Sequence, residues 1–335
     1  MMIKLALIGY GYWGPNLLRN FEKLNNCKIS HLIDTNTQKL DEAKKLYPVL
    51  NTSTSLSTVI DDPDITAIII ATPVSTHFKI AKSALEHGKH VLIEKPMTDS
   101  VKDAEQLIEI SQKNNLLLMV DHTYLYAGTI QKLKELISDK NFGQINFIDS
   151  TRANLGLFQS DINVLWDLAP HDISICNFLL DESPISVQAI GKSHTGKNIE
   201  DIAYLILHYN SKKIVHLNCS WISPIKIRKF IIGGTEKMVI FDDTNEKEKI
   251  QLFNTNFKEK SSNHTTDFFI EYNIGQKSLI TFDQTEALET MASNFIDCII
   301  NKSIPISNHN IGLNVVKILE AAEKSIKNDG TKIPL

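Results

Sequence analysis

The sequence predicts an α/β protein of two domains: a doubly wound parallel sheet over residues 1–121, then an α+β domain with an open, mostly antiparallel sheet over 122–335. Three observations carry this reading. Up to residue 121, short apolar runs alternate with amphipathic stretches, the pattern of parallel strands joined by helical crossovers. Beyond it, several strand-like runs follow one another directly. At 335 residues the chain is also longer than one ordinary core organises.

In order, IKLALIG (3–9) reads as a strand and GPNLLRNFEKL (14–24) as a helix. CKISHLID (27–34) and ITAIIIATP (65–73) are further strands, each followed by a helix, TQKLDEAKKLY (37–47) and HFKIAKSALEHG (77–88). HVLIEKP (90–96), the helix SVKDAEQLIEISQKN (100–114) and the strand LLLMVD (116–121) complete the first domain. The second opens with the helix TIQKLKELISD (129–139), INFIDSTRANLG (145–156) and a helix near PHDISICNFLL (170–180). Strands are then expected at ISVQAIGK, DIAYLILHYN, KIVHLNCSWIS, KFIIGG and KMVIFDD. TNEKEKI (244–250) and NFKEKSSNHTT (256–266) are polar enough to read as turns or exposed loops. Two amphipathic helices, 286–300 and 312–328, close the chain.

A formal charge of −4 and scattered basic residues give no electrostatic case for a nucleic-acid partner. No apolar run approaches the roughly 18 residues of a membrane span, and the first strand begins at once, without a signal peptide. Cys27, Cys176, Cys219 and Cys298 are far apart with no CxxC pair, so a disulfide framework or a metal site is not expected. The expectation is a reduced, cytoplasmic, metal-free protein.

The turn after the first strand reads GYGYWG, with Gly9, Gly11 and Gly14 in GxGxxG spacing. The first glycine permits a tight turn, the second lets the backbone approach a pyrophosphate, and the third lets helix and strand pack closely. Asp34 ends the next strand 20 residues past Gly14, where an acid can accept hydrogen bonds from both adenosine ribose hydroxyls and repel the extra phosphate of NADP. This context makes the domain Rossmann-type and NAD its expected cofactor, with Tyr12 and Trp13 in the same turn as further contacts. Thr72 and Pro73 end another strand at the ligand crevice, and His77 either contacts cofactor or substrate or merely starts a helix. Glu94 and Lys95 end an otherwise apolar strand, which is costly unless they are paired, hydrated or used in chemistry.

Taken together, GYGYWG, Asp34, ATPVSTH, HVLIEKP and WDLAPHD resemble, in this order, the Gfo/Idh/MocA family of sugar and cyclitol oxidoreductases. The resemblance implies NAD(P) binding by the first domain, with Glu94 and Lys95 beside the cofactor, a substrate face on the second sheet, and a homodimer or homotetramer. It makes Lys95 and His171 the catalytic pair, with Asp167 beside the substrate. The chemistry of these residues agrees. A histidine takes a hydroxyl proton near neutral pH, and a lysine steadies the oxygen as hydride leaves. Asp167, four residues before His171, points the same way in a helical turn, with Pro170 marking the helix start nearby.

Within the family, NLGLFQSDINVLWDLAPHDIS and SWISPIKIR resemble the branch that acts on nucleotide-linked amino sugars. That branch oxidises the C3 hydroxyl of UDP-N-acetylglucosamine or its uronic acid. An aminotransferase then uses the 3-keto sugar, for cell-surface polysaccharide or lipid A. The implied substrate contacts are the loop 151–163 with Arg152, Asn154 and Gln159, together with Trp166, Asp167 and His171. Lys226 and Arg228 either meet a diphosphate or are solvated sheet-edge charge, and His122 and Tyr124 either line the site or pack the hinge. Asn294 stands where many close relatives carry a histidine. Competing readings are a ketoreductase for a nucleotide-linked deoxysugar, which Asp34 disfavours, and a non-catalytic dinucleotide sensor, which Lys95, Asp167 and His171 disfavour.

Overall fold

The computed structural model describes residues 2–156, 158–159, 162–196, 198–260 and 269–335. Its first part alternates β1 (Ile3–Ile8), α1 (Gly14–Phe21), β2 (Cys27–Ile33), α2 (Thr37–Leu46), β3 (Asn51–Ser53), α3 (Ser57–Ile60), β4 (Ala67–Ile70), α4 (Val74–Glu86), β5 (His90–Glu94), α5 (Val101–Lys113) and β6 (Leu118–Asp121). The strands form one six-stranded sheet in the order β3-β2-β1-β4-β5-β6, and every pairing is parallel. Helices on both faces explain why β4, AIII, is buried at every residue. This is the doubly wound order whose crevice lies at the carboxyl ends of the strands.

A short 3-10 turn, Thr123–Tyr126, leads to α6 (Gly128–Ser138), β7 (Ile145–Leu155) and α7 (Val164–Leu180). Then come β8 (Ser186–Lys192), β9 (Ile202–His208), β10 (Ile214–Ser220), β11 (Ile222–Gly234), β12 (Met238–Asp242), β13 (Ile250–Lys260) and β14 (Phe269–Leu279). The chain ends with α8 (Ala287–Asn301), α9 (His309–Lys327) and β15 (Ile333–Pro334). Among the described residues the second sheet has nine strands in the order β14-β13-β12-β11-β7-β10-β9-β8-β15. Only β7 and β10 pair in parallel among the described residues of this sheet; its other pairings are antiparallel.

Several expectations change. The first sheet gains a polar edge strand, β3, that has no apolar signature. NFKEK (256–260) is not a loop but the end of β13, where Asn256 faces Asn273 and Lys258 faces Glu271 across the ladder to β14. Residues 261–266 of that stretch, and residues 157, 160 and 161 of the 151–163 loop, lie outside the described residues. KFIIGG is the end of a 13-residue β11, whose register to β7 shifts between Ile222 and Ile227.

The two compact units also differ from a single cut after residue 121. One comprises Met1–Ala127 with Thr285–Lys317, the other Gly128–Gln284 with Ile318–Leu335. The physical reason is α8, which packs on α1. Phe295 meets Phe21 edge to face at 6.3 Å, Arg19 donates twice to Glu286 at 2.6 and 2.9 Å, and Lys23 reaches Glu289 at 2.7 Å. In the other unit, Ser325 of α9 accepts the Ala189 N–H of β8 at 2.9 Å, and β15 pairs with β8.

All four cysteines are buried, and none forms a disulfide. Among the described residues no helix is long and apolar enough to cross a membrane, and no cluster of three or more His, Cys, Asp or Glu could hold a metal ion.

Candidate active site

The glycine turn is shaped by close approach at two positions and by space at the third. Gly9 has φ +96°, and a Cβ there would stand 2.4 Å from the Ala71 carbonyl oxygen at the end of β4. A Cβ on Gly14 would stand 2.5 Å from the Gly9 oxygen, whereas one on Gly11 meets nothing within 4 Å. Trp13 gives α1 no side-chain cap, so its first N–H groups remain for a ligand, and Pro15 follows in the first turn. Tyr12 and Trp13 stack edge to face at 5.4 Å, Tyr12 being 82% exposed. At the end of β2, Asp34 accepts the Tyr10 N–H at 2.7 Å and the Asn36 N–H at 2.8 Å. An open middle glycine, an uncapped helix start and an acid tied to the same turn fit a dinucleotide.

Next along the strand ends, the Thr72 and Thr76 hydroxyls are 2.7 Å apart, and the Thr76 hydroxyl donates to the Pro73 carbonyl. His77 is only 1% exposed. Its Nδ1 lies 3.0 Å from the Pro96 carbonyl oxygen and its Nε2 2.8 Å from that of Thr72, while burial holds its pKa below the ordinary value. His77 thus ties the ATP turn to the EKP turn. Lys95 is half-buried just past β5, and its backbone N–H donates to Glu94 Oε2 at 3.1 Å. Glu94 is held well above the usual carboxylate range, by burial first and then by the charge of Asp121.

In the second unit, α7 begins at Val164, capped by Asn163 Oδ1, which accepts the N–H groups of Leu165 and Trp166 at 3.1 and 3.2 Å. Pro170 therefore lies inside the helix rather than at its start. Asp167 and His171 are four residues apart on α7, hence on one face, and both are half-buried. Trp221, 1% exposed at the β10–β11 junction, donates its indole N–H to Asp167 Oδ2 at 2.9 Å.

The expected substrate residues are distributed unevenly. Arg152 of β7 is 5% exposed and locked to Asp172, with Nη2 at 2.6 Å and Nε at 2.7 Å from Oδ1. Trp166 is 7% exposed, and its indole N–H reaches Glu323 at 3.3 Å. Asn154 is half-buried on β7, and Gln159 borders a cavity of about 290 Å³ with Phe158, Ile199 and Trp221. Lys226 is exposed on β11, and Arg228 lies 3.6 Å from Asp243. Asp121 and Trp221 had no place among the expected site residues, although an acid ending the apolar run LLLMVD was a readable signal.

The glycine cradle with its paired acid is the dinucleotide-binding turn of a Rossmann domain. Residues 3–122 match the oxidoreductase family with an NAD-binding Rossmann fold, and residues 130–240 match the GFO/IDH/MocA C-terminal domain. The chain belongs to the Gfo/Idh/MocA family. It is 29% identical over 246 residues to the UDP-N-acetylglucosamine 3-dehydrogenase of Acidithiobacillus ferrooxidans, covering 72% of this chain and 75% of the relative. It is 27% identical over 193 residues to the inositol 2-dehydrogenase of Rhodococcus jostii, covering 56% and 52%. The solved structure of UDP-N-acetylglucosamine 3-dehydrogenase GnnA from Acidithiobacillus ferrooxidans superposes with a TM-score of 0.83 at 21% identity, covering 98% of this chain and 99% of that one.

Proposed function

We propose that this oxidoreductase oxidises the C3 hydroxyl of a nucleotide-linked N-acetylamino sugar, UDP-N-acetylglucosamine or its uronic acid, hydride leaving carbon C3 and a proton leaving the hydroxyl. The observation that carries the reading is the similarity to the Acidithiobacillus 3-dehydrogenase over three quarters of that enzyme, against about half of the inositol enzyme. When bound, NAD supplies the hydride acceptor. His171 takes the hydroxyl proton, Lys95 holds the same oxygen as negative charge develops on it, and Asp167, fixed by the Trp221 indole, orients the sugar. His77 acts at one remove, holding Thr72 and Pro96 in place. The protein works in the cytoplasm as a homodimer or homotetramer, and an aminotransferase consumes the 3-keto product.

The test is NADH absorbance on mixing enzyme and NAD with each UDP-sugar or with free myo-inositol, with and without an aminotransferase and glutamate to draw off the ketone. NADH growth with one UDP-sugar alone is expected. Growth with inositol only, or silence with all despite NAD binding, refutes the assignment.

A further inference from the structure

At the carboxyl ends of β5 and β6 two pairs of consecutive polar residues lie side by side: Glu94 with Lys95, and Asp121 with His122. The parallel register sets Glu94 opposite Asp121. Both carboxyls are buried, at 8% and 2% exposure, and His122 is 1% exposed. The residues before them, Leu92, Ile93, Met119 and Val120, are closed core that needs no charge to fold. Two buried carboxyls without an arginine are a standing cost to stability, and such groups gather where chemistry uses them.

The partners on each side show how the charge is divided. Asp121 Oδ1 accepts the Thr123 hydroxyl at 2.6 Å, the Asp121 and Glu94 carboxyls are within hydrogen-bond reach of each other, and both ring nitrogens of His122 have no hydrogen-bond partner among the described residues. The charged Lys95 acts on all three titratable neighbours, favouring ionised carboxylates and disfavouring a protonated His122. From the turn after β6, Thr123 and Tyr126 also act on or feel Asp121.

We propose that Asp121 is a positioning residue for Lys95, acting with a protonated Glu94: the pair carries one proton and one negative charge, and that charge holds the Lys95 ammonium at the end of β5. Glu94 keeps the proton, and Asp121 bears the charge. Burial pushes Asp121 up to about 6, and burial with the Lys95 charge pushes His122 down to about 3, so His122 stays neutral. With Lys95 the cluster is neutral overall above pH 6 and gains a positive charge below it. This deepens the dehydrogenase reading and rests on Lys95 having the role given there.

The sign for stability follows from the raised value. Between about 4, where an unfolded aspartate titrates, and about 6, the native state binds the extra proton. The Asp121 contribution to stability therefore falls as pH rises through that window and is flat above it, while the proton that Glu94 keeps continues the fall at higher pH. Asp121→Asn removes the cost and the counter-charge together.

The experiment compares the full-length protein with Asp121→Asn and Glu94→Gln in two readouts that need no sugar: Tm from pH 4.5 to 8.5, and labelling of Lys95 by acetic anhydride at pH 8, read by peptide mass spectrometry. Asp121→Asn is expected to melt several degrees higher at pH 8, to fall less steeply in Tm between pH 4.5 and 6, and to label at Lys95 about threefold or more faster. Glu94→Gln, which replaces a neutral acid by a neutral amide, is expected to keep Lys95 labelling within about twofold of wild type. A lower Tm for Asp121→Asn at pH 8, unchanged Lys95 labelling, or a Glu94→Gln variant that behaves like Asp121→Asn overturns the proposal. Variants that separate as expected in a protein silent toward every UDP-sugar refute the substrate assignment instead.

Discussion

The backbone N–H of Tyr10 donates to Asp34 Oδ2 at 2.7 Å, tying the glycine turn to the end of β2. The other oxygen takes the Asn36 N–H, yet each carboxylate oxygen keeps a further lone pair. One side chain thus shapes the turn and remains able to accept the ribose hydroxyls of NAD.

Asp34→Ala loses both functions. NAD affinity should fall by about 30-fold, roughly 2 kcal/mol, the scale of charge-assisted hydrogen bonds to a carboxylate. NADP affinity should fall less or rise, because its extra phosphate no longer meets an anion. Titration of protein fluorescence with each dinucleotide measures both.

The glycines should separate structure from binding. Gly9→Ala forces a side chain onto the Ala71 carbonyl oxygen, 2.4 Å away, at φ +96°, and should cost about 2–3 kcal/mol of stability. Gly11→Ala meets nothing within 4 Å and should leave Tm almost unchanged while weakening NAD at least about tenfold by blocking backbone approach. Melting curves with and without NAD distinguish the two.

Arg152 and Asp172 form a buried pair, with side chains 6% and 1% exposed. Asp172→Asn leaves a guanidinium without its anion and the Ser150 hydroxyl with a weaker acceptor, and should cost about 3–5 kcal/mol in urea unfolding. Arg152→Met with Asp172→Leu should recover much of that loss, since an apolar pair of similar volume carries no desolvation cost.

The parallel strands and the glycine turn were legible because their signals are local: apolar runs of strand length, and glycines at fixed spacing. Polar edges were not. Asn51–Ser53 pair as β3 with no apolar residue among them, and Lys258 of β13 faces outward toward Glu236 at 3.3 Å, so its segment has the composition of a loop. The start of α7 was obscured by Pro170, which usually marks a first turn, whereas Asn163 makes the actual cap. Of the proposed site residues, Lys95, Asp167 and His171 were expected from their motifs. The pairings around them were not legible: Trp221 lies 54 positions from Asp167, and Asp121, although it visibly ends the apolar run LLLMVD, lies 27 positions from Glu94, so only the folded sheets show which residues meet.

The discontinuous first unit inverts the order in which the protein is made and finished. A ribosome that has released residues 1–127 has delivered every strand of the parallel sheet, yet α8, which covers α1 through Phe295 and Glu286, comes only after Thr285. The second unit's long sheet is synthesised in the interval. The nascent dinucleotide-binding half therefore waits, with the Phe21 side of α1 uncovered, for more than 150 further residues. A fragment cut at the apparent boundary reproduces that waiting intermediate rather than a finished domain.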